Sequence, residues 1–547
     1  MKYNYKEFFP HDTIRPQQDN AIQLALEAFL EKKKRFVVLE LGTGCGKSAI
    51  GVTVGRYLHS INQSAPNPDL ETVYVPGTYV LTTQKVLQDQ YMKDFSPSPI
   101  GMRSIKSATN FTCGFYKESS CADSLRILQT EKPGTPFWRN CIGNCVYKKE
   151  KEKFINAPIG VTNFSYFLAE TMYGGKLPPK QLIVVDEAHN TEAELSKFVE
   201  IAFTEKFTID VLKLAWPEKA TQVSAMKWIK TEYHPALNDY ILKIQKTLEK
   251  FKGLKEKLEN FKTLARQVEM LDKHFSKINR FLEMYSESNW IMNLVEASER
   301  TGRKFEFKPV DVGPFSEELL FRQAEHVILM SATIVNKDVF CKTIGIPEED
   351  VAFLSIDSPF PIENRPVYYA PVGAMTMAEQ QATLPKMAEM VALILEQHKG
   401  EKGIIHTHTF KIAKYLKANI KSRRLLVHHS LNREEIVDKH CKAKNGTVLL
   451  SPSLSEGIDL KDNLSRFQII CKIPYPYLGD KLVRKRMAKY KEWYGYQTAK
   501  SIVQSAGRSV RNDKDHAITY ILDSSWDYFF KRNRDMFPES FINAIQD

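Results

Sequence analysis

Two α/β units, each built on a parallel β-sheet, are the fold this sequence predicts. Short apolar runs bounded by turn residues recur in two separate regions, helical stretches fall between the runs, and a long helical tract separates the regions. Continuous apolar runs suit strands covered on both faces, whereas half-exposed strands alternate. The first region holds Arg35–Glu40, Tyr79–Thr82, Leu182–Val185 and Val327–Met330. The second holds Gly403–Ile405, Thr447–Leu450, Phe467–Ile470 and Ile518–Ile521. Between about Tyr240 and Tyr285 the apolar positions step by three and four: Phe251, Leu254, Leu258, Phe261, Leu264, Val268, Leu271, Phe275, Ile278, Leu282 and Tyr285. Mostly Lys, Glu, Gln and Asn lie between them, so the tract reads as long helices packed on each other with a break at Gly253. Ser60–Pro76 reads as a surface loop.

A chain of 547 residues exceeds what one core organises, so several domains are expected. With 43% hydrophobic and 26% charged residues the composition is that of a folded globular protein. Lys plus Arg exceed Asp plus Glu by 77 to 65, a net charge of +12. That excess favours a polyanionic partner; a basic protein without one is the alternative. No apolar run is long enough to span a bilayer, so no membrane partner is expected, and the opening MKYNYKEFFPHD lacks the apolar centre of a secretory signal. The expected setting is the cytoplasm, or the nucleus of a eukaryote, where thiols stay reduced.

Gly42-Thr43-Gly44-Cys45-Gly46-Lys47-Ser48 follows a strand and precedes a helix, the context of a phosphate loop. Glycines let backbone N–H groups converge on phosphate oxygens, and the helix adds its N-terminal dipole. Lys47 is expected at the β and γ phosphates of ATP, with the Ser48 hydroxyl on Mg²⁺. The usual pattern has a small residue five places before the second glycine; here Leu41 stands there. Downstream, a buried strand runs into Asp186-Glu187-Ala188-His189. Burying adjacent carboxylates costs several kcal/mol (about) unless a metal or cation offsets it. Asp186 is the candidate Mg²⁺ ligand and Glu187 the candidate general base.

Four of the eight cysteines crowd together: Cys113, Cys121, Cys141 and Cys145. Clustered thiols in a reducing compartment point to metal, and four thiolates suit either zinc or an iron–sulfur cluster. Residues 101–156 hold ten Lys/Arg against five Asp/Glu, interleaved with Phe111, Phe115, Tyr116, Phe137, Trp138 and Tyr147. Cations can track phosphates and aromatic faces can stack bases, although packing of the small domain accounts for most of these rings. Lys148, Lys149, Lys151 and Lys153 could line a strand path. Lys481, Arg484, Lys485 and Arg486 read as a solvated helix face or part of a groove. Cys45, Cys341, Cys441 and Cys471 are expected to be buried structural thiols.

The order of phosphate loop, DEAH, Ser331-Ala332-Thr333 and Gln504-Ser505-Ala506-Gly507-Arg508-Ser509-Val510-Arg511 resembles superfamily-two helicases. The last element looks like their Q-x-x-G-R-x-x-R motif. The resemblance makes Arg508 and Arg511 arginine-finger candidates and Gln504 a γ-phosphate sensor. Arg15-Pro16-Gln17-Gln18 resembles the adenine-side Q motif, with Gln18 the adenine contact. Thr82, Thr83 and Gln84 resemble a motif that contacts the nucleic-acid backbone. The XPD and DinG group inserts a four-cysteine [4Fe–4S] domain and a helical arch where this chain has its thiols and its heptad stripe. Met330–Thr333, Ser455–Leu460 (with Asp459 at the nucleotide) and Lys472–Pro476 match further.

The resemblance implies two RecA-like motor domains. The first would comprise residues 1–100, 157–204 and 316–336, interrupted by the cluster insertion (101–156) and the arch (205–315); the second would be 337–547. It also implies a monomeric DNA helicase moving 5′ to 3′ on single-stranded DNA and opening forked duplexes. An RNA or RNA–DNA hybrid unwinder, and an ATP-gated remodeller that never separates strands, are the alternatives.

Overall fold

The computed structural model describes residues 2–61, 74–96, 101–128, 131–174, 177–252, 254, 257–429, 432–452, 460 and 462–546. Its strands through the first half are β1 (Phe36–Leu41), β2 (Val75–Thr82), β3 (Met102–Ser104), β4 (Ile159–Asn163), β5 (Lys180–Asp186), β6 (Ile201–Thr204), β7 (Trp290–Ser298) and β8 (Gly302–Pro309). There follow β9 (Ala324–Ser331), β10 (Val351–Ile356), β11 (Val367–Gly373), β12 (Gly403–His406), β13 (Leu425–Val427), β14 (Val448–Ser451), β15 (Phe467–Ile470), β16 (Ile518–Asp523) and β17 (Ile545–Gln546). They form two seven-stranded parallel sheets, ordered β10-β1-β9-β5-β2-β4-β3 and β13-β14-β12-β15-β16-β11-β17, and one antiparallel sheet, β6-β8-β7. Every apolar run read as a strand lies in one of the two parallel sheets. Each parallel sheet is covered by helices, giving two RecA-like lobes.

In the first lobe the three central strands β1, β9 and β5 are neighbours, with Glu40 opposite Ser331 and Asp186 opposite Met330. Their carboxyl ends therefore open side by side, where open α/β sheets take ligands. The phosphate loop, DEAH and Ser-Ala-Thr segments leave from these three ends. Helix Pro16–Leu30 and helix Lys47–Ile61 cover one face, burying Ala21, Ile22, Leu26, Ile50, Val52 and Val54 against β1 and β5.

Three expectations need correction. Residues 337–356 belong to the first lobe, because β10 pairs with β1 from Phe36↔Val351 to Leu41↔Ile356. β10 (VAFLSI) carries an apolar run of its own that the sequence reading passed over, so the boundary read from sequence fell too early. The tract before β9 is not purely helical. Helix His234–Phe251 and helix Leu258–Met284 do form the expected pair, burying Phe261, Val268, Leu271 and Ile278. Beneath them lies the antiparallel sheet, joined by contacts such as Phe203 to Tyr233 (4.9 Å) and Phe281 to Trp290 (4.8 Å). Leu254 stands outside the seam, 43% exposed, and Gly253 lies outside the described residues. Ser60 is helical and Val75–Pro76 open β2, so the expected loop is shorter at both ends, its middle lying outside the described residues.

Residues between β3 and β4 form a small helical element: Cys121–Ile127, Pro136–Gly143 and Val146–Asn156. It meets the long helix of the hairpin through Arg126 to Glu269 and Arg266 to Asp123, each 2.6 Å. The second lobe docks through helix Lys481–Lys489. Arg486 there is buried, donating to Val310 O (2.9 Å), pairing with Glu192 (2.7 Å) and lying over the Trp493 ring. It therefore leaves the basic run, whose Lys481, Arg484 and Lys485 line a separate cavity with Gln222 and Met292.

Lys180, the first residue of β5, is fully buried, donates to Ala157 O (2.8 Å) and lies 4.7 Å from the Tyr79 ring centroid. Burial pushes its pKa down to about 7. The unfolded chain, with an ordinary lysine near pKa of about 10.4, binds more protons above that value, so this residue makes stability rise with pH from about 7 to about 10. Lys180→Met is expected to raise the thermal midpoint at pH 7 and remove that rise. Circular-dichroism melts from pH 6.5 to 9.5 measure both, and an unchanged pH slope would refute the assignment.

Candidate functional site

β1 ends in the loop Gly42–Gly46, where Gly44 (φ +94°) and Gly46 (φ +74°) adopt conformations that side chains resist. The loop is held from both sides. Arg15 Nη1 donates to Gly44 O (2.6 Å), and Ser358 Oγ donates to Thr43 O (2.7 Å). Cys45 is buried, its thiol donating to Asp357 O (3.5 Å). Gln18 packs on the loop, its amide nitrogen 2.3 Å from where a Cβ at Gly46 would stand, while its oxygen accepts from Arg15 N (3.0 Å). Lys47 and Ser48 then open helix Lys47–Ile61.

At the end of β5, Asp186 is buried and accepts from the Tyr91 hydroxyl (2.9 Å) and Glu187 N (2.9 Å). Burial and the neighbouring Glu187 charge push its pKa up to about 6, against the pull of Lys47 and Tyr91. Glu187 goes the other way. Burial raises it too, but Lys47, His189, Arg511 and Arg508 together hold it below the usual carboxylate range. One lobe supplies Lys47 and the other both arginines, so the lobes meet electrostatically at this single carboxylate. Glu187 is also left-handed (φ +51°). His189 lies 3.4 Å from Glu187 and 2.7 Å from Ser331 Oγ, and burial pushes its pKa down to about 4, leaving it neutral at pH 7.

From Ser331 the contacts cross the cleft. Thr333 N donates to Ser331 Oγ (3.1 Å), and Gln504 Nε2 of the second lobe donates to Thr333 Oγ1 (3.1 Å). The cleft, about 580 Å³, is lined by Gly42, Thr43, Glu187, Gln504, Arg508 and Arg511 among others. Thr83 and Gln84 line it as well. Gly42, Thr43, Glu187, Gln504, Arg508 and Arg511 thus line one cleft, with Lys47 and Asp186 acting on Glu187 from beside it, while Asp459 and most of Ser455–Leu460 lie outside the described residues.

Sequence reasoning missed Glu40 and Tyr91. Glu40 is buried on β1, accepting from Val335 N (2.6 Å) and Ser355 Oγ (3.0 Å), so it ties β1 to β10 and to the segment after Ser-Ala-Thr. A carboxylate inside the apolar run Phe36–Leu41 was the available signal. Tyr91, in the periodic helix Lys85–Phe95, had none.

The four clustered thiols are all buried. Cys113 and Cys141 share a small core with Ile127 and Phe137. Cys121 lies beside Cys145, and the charges of Cys113, Cys121 and Cys145 all reach Cys141. The Cys113 sulfur accepts from Tyr116 N (3.4 Å). Among the described residues no three such side chains converge closely enough to hold a single ion in this arrangement. Phe115, Tyr116 and Phe137 pack on one another, as structural rings do. Lys148 donates to Cys141 O (3.1 Å), Lys149 to Asn144 (2.9 Å) and Lys153 to Glu150 (2.7 Å), while Lys151 pairs with Glu170. Lys148 and Lys151 are thus tied into the element, while Lys149 and Lys153 stay exposed on its surface. Cys341 and Cys471 are buried as expected; Cys441 is only half-buried. Among the described residues no helix is long and apolar enough to cross a membrane.

Fold and cleft define a two-lobed, RecA-like protein with a phosphate loop facing an arginine-bearing helix end. Two family models match, one for a helicase C-terminal domain over residues 404–543 and one for the type III restriction enzyme res subunit over residues 11–212. A DinG helicase of Photobacterium profundum is 30% identical over 240 residues, covering 39% of this chain and 34% of that protein. The YoaA helicase of Haemophilus influenzae is 21% identical, covering 70% and 66% respectively. The alignments thus span less than two thirds of either relative. A solved XPD helicase superposes with a TM-score of 0.62 at 16% identity, covering 96% of this chain and 98% of that one. The chain is thus similar in sequence to DinG and YoaA helicases and in fold to an XPD helicase.

Because the folded pKa of Asp186 exceeds its unfolded value, the native state binds the extra proton, and stability falls as pH rises from about 4 to about 6. Asp186→Asn is therefore expected to stabilise the nucleotide- and metal-free protein at pH 7 and to flatten that fall. Denaturant midpoints at pH 4.5 to 7 test it, and a less stable variant at pH 7 would overturn the account.

Proposed function

We propose that this protein is an ATP-driven DNA helicase that hydrolyses ATP in the interlobe cleft and uses its opening and closing to move along single-stranded DNA. The observation that carries the reading is the depressed Glu187 carboxyl, held ionised by Lys47 from one lobe and Arg508 and Arg511 from the other. An ionised carboxylate there can orient and deprotonate an attacking water. Arginines from the facing lobe can stabilise charge on the transferring phosphoryl group, an effect worth about 10³–10⁵ in rate. Both requirements are met together only when the lobes are apposed, which is what couples chemistry to motion.

In this reading the Gly42–Gly46 backbone and Lys47 bind the phosphates, and Gln18 reads the adenine edge. Ser48 and Asp186 would hold Mg²⁺, which when bound supplies positive charge to the phosphate oxygens. Gln504 reports the γ-phosphate to the second lobe through Thr333, and Asp459 contributes a nucleotide contact. The curated relatives named as DNA helicases support DNA as the substrate. Travel 5′ to 3′, action on forked duplexes and a monomeric state follow from the same family reading.

Cys113, Cys121, Cys141 and Cys145 would hold a [4Fe–4S] cluster. Their support is a buried all-thiol donor set, with a backbone N–H already on the Cys113 sulfur, the kind of bond that tunes a cluster's potential. A cluster there would act as a covalent staple for an element whose own core is small. Metal analysis and an absorption spectrum of anaerobically purified protein separate it from zinc. Cys113→Ser is expected to lose the iron and strand separation before ATP hydrolysis; loss of both together would assign the thiols to core folding.

Lys47→Ala and Arg511→Ala are each expected to lower DNA-stimulated ATP turnover by about a thousandfold. Strand displacement should occur on 5′-tailed duplexes. Turnover stimulated better by RNA would favour the RNA reading, and stimulated turnover without displacement would favour a remodeller. Normal turnover in Lys47→Ala would remove the site assignment altogether.

A further inference from the structure

The linker between the lobes, residues 357–366, is tied to both of them and carries a cation whose buried donors have no acceptor. On the first-lobe side, Ser358 bonds Thr43 O, and Phe360 packs on Gly44, where an added Cβ would meet its ring at 2.2 Å. On the second-lobe side, Phe360 packs with Val510 and Ala517. Asp357 accepts from Ser540 N (3.1 Å) and Ser540 Oγ (2.9 Å).

Arg365 comes two residues before β11 and lines the same cleft as Gly42, Thr43, Glu187 and Arg511. Its Nε and Nη2 are buried and reach no hydrogen-bond partner. Burial holds its guanidinium below its ordinary pKa, opposed by the charge of Asp357. Asp357 accepts from Ser540 through both oxygens and acts on Arg365 through its charge, without a hydrogen bond to Nε or Nη2. A buried charged donor without an acceptor is costly, and such groups persist where a ligand completes them. Nε and Nη2 form one edge of the guanidinium, the two-pronged edge that matches two oxygens of a phosphate.

We propose that Arg365 is a nucleotide-binding residue, its Nε and Nη2 donating to phosphate oxygens of the nucleotide in the cleft. The linker then contributes to the binding site directly, in addition to joining the lobes. This rests on the nucleotide-site reading above.

The test is competition against a fluorescent ADP analogue by ATP, pyrophosphate and adenosine, on the full chain and its Arg365→Ala, Arg365→Lys and Lys47→Ala variants. Arg365→Ala is expected to weaken ATP and pyrophosphate by about tenfold or more and to leave adenosine unchanged. Arg365→Lys, which restores charge without the fork, should recover only part of that loss. If Arg365→Ala fails to fold by circular dichroism, Arg365→Gln provides the same reading. Normal ATP and pyrophosphate affinity in Arg365→Ala, beside a loss in Lys47→Ala, overturns the proposal while sparing the site. An equal loss for adenosine also overturns it, by assigning the contact to the nucleoside. Unchanged binding in Lys47→Ala would remove the site and the proposal with it.

Discussion

Two adjacent carboxylates at the buried end of a central strand pose the problem around which the rest of the structure is arranged. Both cannot be ionised cheaply side by side, since their like charges repel and Asp186 is buried as well. The structure resolves this unequally. Asp186 takes the penalty and is raised, with Tyr91 donating to one oxygen and the Glu187 amide to the other. Glu187 is relieved by cations, two of which come from the second lobe. The charge state of the first lobe's acidic strand end is therefore set partly by where the second lobe stands.

The same pair of elements is linked by bonds as well as by field. Helix Trp493–Ala506 touches the first lobe near both its ends, Gln497 reaching Glu192 (3.4 Å) and Gln504 reaching Thr333 (3.1 Å). Glu192 lies five residues beyond Glu187 and also takes the buried Arg486 of the preceding helix. Breaking such a pair by removing one partner leaves a buried charge without compensation, which costs more than a surface bridge. The DEAH segment is thus flanked by two contacts to one second-lobe unit, and the lobes cannot separate there without rearranging both.

The insertions are joined differently. The thiol-bearing element and the long hairpin helix meet through half-exposed pairs, Arg126–Glu269 and Arg266–Asp123. Such pairs are individually worth little and are screened by salt. The interior of each insertion is apolar, with stacked aromatics such as Trp216 on Phe305 (4.3 Å). Each insertion is therefore firm within itself, while the joint between them combines these ion pairs with Leu258 of the long helix packed against the small core around Cys113 and Phe137.

Much of this was legible in sequence, because its signals are local. Continuous apolar runs disclosed the central strands, the glycine loop disclosed the phosphate-binding turn, and the order of short motifs disclosed which residues share a cleft. The spacing of Cys113 to Cys145 pointed to one small element, in which all four thiols are buried. What stayed hidden depends on contacts distant in sequence. β10 and β11 are both apolar enough to be strands, but which sheet each joins is set by pairing with β1 and with β16, residues far away in sequence, so the lobe boundary between them was hidden. Arg486 looked like one more basic residue until Glu192, Val310 and Trp493 enclosed it. Sequence alone determined the fold class and the residue types of the cleft, since periodicity and turn chemistry act over a few positions. Only the tertiary structure decided which charges offset which, because a carboxylate's ionisation depends on every cation folded against it.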